Sequence, residues 1–153
     1  MGPGSGPATV EPVRAGGAPT FTATTIDGKA VAFPGDFSGK KVLLVFWATW
    51  CTPCRAEMPH LREAHEKLAA RGLEIVGVSV DTKAPDSVKK FADEQKLIWR
   101  HVYDNKADVA RKFGVEGIPA LFLVDGATGK ILASGEALRG DDLVKVLEKY
   151  LNS

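Results

Sequence analysis

The chain has 153 residues, enough for one domain with a proper hydrophobic core. Apolar residues make up 44% and charged residues 25%, the balance of an ordinary soluble globular protein. A formal charge of +1 with no basic run argues against a nucleic-acid or polyanion surface, and no apolar run approaches the ~18 residues of a membrane span.

Residues 1–18 are dominated by Gly and Pro and show no apolar periodicity, so they read as a flexible tail or linker that cannot offset its ordering entropy. The domain proper is expected over 19–153. The tail has no charged segment followed by an apolar one, so it is not a signal peptide. Its start reads as a cloning remnant or as the end of a linker from a longer protein, in which case a targeting signal has been cut away. Phe21 to Thr25 and Ala30 to Phe33 are rich in strand formers and flank Asp27-Gly28, a strong turn signal, which predicts a hairpin. Pro34-Gly35 ends it. Lys41 to Trp47 follows as an apolar run typical of a buried strand.

A helix is expected over 52–70, with Met58, Leu61, Leu68 and Ala69 on one face, a kink at Pro59, and Arg71-Gly72 at its end. Residues 73–80 read as a second buried strand, 85–96 as a helix with Val88, Phe91 and Ala92 inward, and 98–103 as a third strand. Asp104-Asn105 caps a short helix through Phe113. Residues 118–124 read as a fourth strand that contains Pro119, and 130–134 pair back after a turn at 126–129. A last helix runs from about 141 to 151, with Leu143, Leu147, Tyr150 and Leu151 on one face. Strands alternating with helices predict an α/β layer fold, with a mixed sheet covered on both faces.

Both cysteines, Cys51 and Cys54, lie where the strand at 41–47 gives way to the helix. Two cysteines are too few for a disulfide scaffold, and a bridge across so small a loop constrains the unfolded chain little; redox chemistry explains the pair better. A free thiol has pKa ~8.5, and a helix N-terminus or a Cys-x-x-Cys setting lowers it to ~3.5–7.5 by offering unpaired N–H groups and the positive end of the helix dipole. Cys51, at about the N-cap, is therefore the expected attacking thiol. Pro53 falls in the first turn, where its missing N–H costs nothing. Cys54, one turn on and deeper, is the expected resolving thiol.

The alternatives are a zinc site or inert buried thiols. His60 and His65 follow the pair, but their spacing is wrong for a finger-type site and they face apart on a helix. No metal ligation and no cofactor are expected. His101 reads as packing or edge-exposed. Glu57, three residues after Cys54, either takes the proton that Cys54 must lose or is a surface acid favoured by the helix dipole. Pro119 implies either a cis peptide after Ile118 or a bulge or edge strand. Trp47 alternates into the core, and Trp50 stands next to the nucleophile as part of the docking surface; a pure packing role for both is the alternative.

Phe46-Trp47-Ala48-Thr49-Trp50-Cys51-Thr52-Pro53-Cys54, with Glu57 and Pro59, resembles the thioredoxin superfamily, and most nearly its TlpA/ResA branch of thiol:disulfide oxidoreductases. Phe113 to Pro119 is similar to that family's cis-proline loop, and 121–125 to the strand after it. The hairpin and the additional helix–strand unit at about 83–104 also suit this branch. The resemblance implies a thioredoxin fold, a cis Pro119 beside the cysteines, Glu57 as active-site acid, and substrate contact at Trp50, Thr52, Pro53, Ile118 and Pro119. It further implies a monomer that exchanges electrons between protein disulfides and an upstream donor thiol protein. The implied place is outside the cytoplasm, in cytochrome c maturation, with a membrane anchor only in a missing N-terminus; a cytoplasmic reductase is the alternative. Two departures stand out. Val45 occupies the position of thioredoxin's buried Asp, and Thr52-Pro53 lacks the His of strongly oxidising enzymes. A peroxide reductase is the first rival function, but its Pro-x-x-x-Thr-x-x-Cys pattern fails at Leu44 and Ala48. A metal-binding or copper-delivery module is the second.

Overall fold

The computed structural model describes residues 17–151. The expected tail lies outside them except for its last two residues, and these are held: Gly17 bridges Lys130, and the Ala18 N–H donates to the Gly129 carbonyl at 2.7 Å. In chain order the elements are β1 (Phe21–Thr24), β2 (Ala30–Phe33), β3 (Lys41–Trp47), α1 (Thr52–Leu68), β4 (Leu73–Ser79), α2 (Pro85–Glu94), β5 (Arg100–Tyr103), α3 (Asp108–Lys112), β6 (Ala120–Asp125), β7 (Ile131–Ser134) and α4 (Leu143–Leu151). Short 3-10 turns at 69–71 and 135–142 finish α1 and lead into α4.

β1 and β2 form the expected antiparallel hairpin, with Gly28 at φ +85° in its turn. The other strands make one mixed sheet in the order β5-β4-β3-β6-β7. β3 pairs parallel with β4 and antiparallel with β6, so the strand that delivers the cysteines is the middle one. Its burial follows, since every residue from Val42 to Trp47 is covered. Leu43, Val45 and Trp47 face α1, α2 and α4, together with Ile75, Leu121 and Leu123. Val42, Leu44 and Phe46 face the hairpin and α3, where Phe21, Phe33 and Phe113 pack ring to ring. Period-two alternation thus divides one apolar run between two cores.

Helix boundaries follow local chemistry. Gly72 closes the turn after α1 in the left-handed region, at φ 101°. Asp104 accepts from the N–H groups of Val109 and Ala110, both at 3.0 Å, and so satisfies the start of α3. Two expected boundaries move. Ile98 is not in β5 but stands 73% exposed ahead of it. Pro119 precedes β6 instead of interrupting it, because β6 pairs only from Ala120 onward, where every ladder donor is present.

Gly77 has a structural consequence that the strand pattern conceals. On the sheet it is the neighbour of Val45 on one side and His101 on the other. A Cβ there would stand 2.3 Å from His101 Nδ1 and 2.9 Å from Trp47 Nε1. The missing side chain lets the two rings fold over β4 and meet edge to face, with centroids 5.2 Å apart. Gly77→Ala should therefore destabilise the fold by about 1–3 kcal/mol through overpacking, read as a lower denaturant midpoint at unchanged m-value.

Candidate active site

β3 ends at Trp47, and after four intervening residues the chain starts α1 at Thr52. Cys51 is the N-cap, in an extended conformation (φ −87°, ψ 106°), and its Sγ accepts a hydrogen bond from the Cys54 N–H at 3.2 Å. Sulfur therefore takes the place that a Ser or Asp oxygen commonly fills at a helix start. Pro53 lies in the first turn, where no donor is lost. The two cysteines are joined in a disulfide with Cα atoms 5.2 Å apart. Depth barely separates the pair: Cys51 is 4% exposed and Cys54 3%. Surroundings distinguish them instead. Cys51 Sγ lies 3.8 Å from the Ile118 carbonyl oxygen, whereas Cys54 lines a cavity of about 10 Å³ with Glu57, Pro119, Trp47 and His101.

The remaining expected positions divide in the same way. Trp50 is 64% exposed, and Thr52 and Pro53 are also exposed, so they rim the sulfur from outside. The Ile118–Pro119 peptide is cis, with Ile118 half-buried and Pro119 buried; Phe33–Pro34 is cis as well. Glu57 is buried on the inner side of α1 and is not a surface acid. Its Oε1 accepts from the Gly140 N–H at 3.0 Å, and its Oε2 is 3.7 Å from Arg139 Nε. Val45, in place of an acid, is another wall of the cavity. Of the two helix histidines, His60 pairs with Asp141 at 3.5 Å and His65 packs against Trp99, so they point to different neighbours. Among the described residues, no group of three or more His, Cys, Asp or Glu side chains could hold a metal ion.

Asp81 escaped the sequence reading. It is fully buried just beyond β4. Its carboxylate accepts from the Thr49 N–H at 3.0 Å, the Thr49 hydroxyl at 2.7 Å and the Ser79 hydroxyl at 2.8 Å. The Thr49 carbonyl in turn accepts from Arg55 Nη1 at 2.8 Å. The loop that places Cys51 is thus fastened at Thr49, by its N–H and hydroxyl to the carboxylate beyond β4 and by its carbonyl to α1. A charged residue directly after a buried strand was the available signal. Asp81→Ala leaves three buried donors without an acceptor and should cost about 2–4 kcal/mol in denaturant unfolding, with Asp81→Asn retaining part of the loss.

His101, read as packing or edge-exposed, is packed. It is buried on β5, and its Nε2 lies 3.0 Å from the Leu97 carbonyl. Burial lowers its pKa to about 4 from the usual 6.5. The unfolded chain therefore takes up a proton below pH 6.5 that the folded protein refuses until about pH 4. Stability is fully present above 6.5 and falls as the pH drops toward 4, by roughly 3 kcal/mol in all. Urea unfolding across this window should show the fall, and His101→Phe should flatten it.

A mixed five-stranded sheet, helices on both faces, and a disulfide-forming Cys-x-x-Cys at the strand-to-helix junction define a thioredoxin-fold dithiol redox protein. The chain belongs to the AhpC/TSA family, whose model matches residues 16–133. It is 34% identical over 134 residues to the thiol-disulfide oxidoreductase ResA of Bacillus thuringiensis subsp. konkukian, covering 88% of this chain and 74% of that one. Among solved structures it is similar to the thioredoxin domain of a thiol-disulfide oxidoreductase from Bacteroides vulgatus, at 37% identity and TM-score 0.78, covering 89% of this chain and 96% of the other. It is also similar to a Chlorobium tepidum structure named for the thiol:disulfide interchange protein DsbE, at 31% identity and TM-score 0.73, covering 89% and 94%. The protein is a thiol–disulfide oxidoreductase.

Proposed function

We propose that the protein reduces disulfides in protein substrates, with Cys51 as the attacking thiolate, Cys54 as the resolving thiol and Glu57 as the acid–base group beside it. The observation that carries this reading is the disulfide across the α1 N-terminus, with Cys51 Sγ at the cap. The Cys51 thiolate attacks one sulfur of a substrate disulfide. A bond forms between Cys51 and the substrate, and the other substrate sulfur leaves as a thiolate. Cys54 then gives up its proton toward Glu57 and attacks Cys51 Sγ. The mixed disulfide breaks, the Cys51–Cys54 bond forms, and two electrons have passed to the substrate. An upstream thiol protein reverses the last bond and restores the dithiol.

Trp50, Thr52 and Pro53 meet the substrate as the exposed rim, while Ile118 and Pro119 face it from across the sulfur. The Ile118 carbonyl, 3.8 Å from Cys51 Sγ, is placed to accept a backbone N–H from an extended substrate segment. The finer reading is a role outside the cytoplasm, reducing the haem-attachment cysteines in cytochrome c maturation. The names of the ResA and DsbE relatives and the resemblance of the active-site motif support it. No helix among the described residues is long and apolar enough to cross a membrane, so any tether lies elsewhere.

Cys54→Ala should accumulate mixed disulfides through Cys51, visible as reductant-sensitive adducts on non-reducing gels, and Cys51→Ala should abolish them. Failure of Cys54→Ala to capture any thiol partner overturns the assignment of roles. Glu57→Gln should leave capture intact and slow resolution at neutral pH on the order of 10²-fold, followed by stopped-flow Trp fluorescence.

A further inference from the structure

Arg55 is the fourth residue of α1, near the end of a helix where a cation is least welcome. The first turn holds no acid to offset it. Its side chain turns back past the helix start, as helical side chains lean toward the N-terminus. Nη1 donates to the Thr49 carbonyl at 2.8 Å, and Nη2 donates to the Thr52 hydroxyl oxygen at 3.3 Å. The guanidinium thus spans the loop from two residues before Cys51 to one residue after it. The Arg55 backbone N–H also donates to the Cys51 carbonyl, at 3.1 Å. Other charges near the sulfurs have partners. Glu57 faces Arg139 at 3.7 Å, and Asp81 accepts from Thr49 and Ser79. Arg55 differs: both bonds of its side chain end on neutral oxygens, and among the described residues no carboxylate pairs with it.

A cation that lacks an anion in the oxidised protein gains one when the disulfide opens. Two electrons and one proton convert the Cys51–Cys54 bond into a thiolate on one sulfur and a thiol on the other. We propose that Arg55 is a positioning residue for the attack step: it clasps the 49–52 loop around Cys51 and supplies the standing positive charge that favours the Cys51 thiolate. This rests on the reading of Cys51 as the attacking thiol. The cap bond from the Cys54 N–H and the helix dipole favour the same anion, and Arg55 adds a full charge to these partial ones. Thr49 stands between opposite charges, with its N–H and hydroxyl on Asp81 and its carbonyl on Arg55, and this fixes the peptide that leads to Cys51. The other groups around the sulfur are Cys54 and Glu57 on α1, with Arg139 paired to Glu57, and Asp81 beyond β4. The loop before β6 brings the Ile118 carbonyl, 3.8 Å from the sulfur, and an exposed Glu116 two residues earlier. Arg55 is itself exposed, so water and salt weaken its field and the effect is moderate.

The test follows alkylation of the reduced protein by iodoacetamide, a neutral reagent, across a range of pH. Mass spectrometry should place the first adduct on Cys51. Arg55→Gln should slow that reaction roughly 3–10-fold below the thiol midpoint, where the thiolate fraction sets the rate. Above the midpoints of both proteins the variant should match or overtake the unaltered protein, because a more basic thiol gives a more nucleophilic thiolate. A merely structural role does not produce that crossing. Arg55→Lys, which restores the charge without the two-pronged hold, should recover much of the loss. The side chain is exposed, so both variants should fold, which a denaturant midpoint checks. Coinciding pH profiles overturn the proposal, as does a slowing that is equal at every pH or a Lys variant no faster than Gln. If the first adduct forms on Cys54, the assignment of the attacking thiol has itself failed. If it forms on Cys51 and the Arg55→Gln profile is unmoved, only the part given to Arg55 has failed.

Discussion

The site depends on where one helix begins. Sulfur is a weak acceptor, yet Cys51 Sγ occupies the N-cap of α1 and takes the hydrogen bond that an oxygen usually takes. A helix start is where backbone N–H groups lack partners, so a negative charge gains most there. Placing a thiol at that point couples the folding of α1 to the ionisation of Cys51. The middle strand of the sheet delivers the chain to this spot, and both flanking strands hold that strand in register. The position of the sulfur is thus fixed by the best-buried part of the molecule and not by the loop alone.

Around that point the polar groups form layers. Asp81 ties the loop to β4, and Arg55 ties it to α1. Glu57 is fastened to the turn before α4 by Gly140 and Arg139. The acid beside Cys54 therefore has a fixed orientation, which a lone side chain on a helix face would lack. The apolar Val45 lines the same cavity, whose carboxylate therefore comes from the helix and not from the strand.

Much of this was legible in order along the chain. The Cys-x-x-Cys at a strand-to-helix junction, the hairpin turn at Asp27-Gly28 and the Asp104 cap of α3 are local features, and local features leave local signals. What stayed hidden was contact between residues far apart in sequence. Thr49 meets Asp81 across 32 positions, and Glu57 meets Gly140 across 83. His101 read as packing or edge because its burial depends on a glycine in another strand. Gly77 was visible as an interruption in an otherwise branched and apolar run, and a glycine inside a strand marks a close approach. It did not say which ring would approach. The boundary errors at Ile98 and Pro119 share one cause: hydrophobicity continued past the point where ladder pairing did.

The segment from Gly17 to Thr25 joins the two margins of the molecule. Gly17 bridges Lys130 at the β7 side, and Thr25 bridges Val102 in β5, at the opposite end of the strand order. One short stretch of chain thus crosses the sheet like a belt and buckles at both rims. Open rims are where sheets of different molecules join into aggregates. This oxidoreductase carries its own guard against that fate in residues that take no part in its chemistry. Between the two fastenings, β1 is held by its own pairing with β2 and by Phe21 in the core.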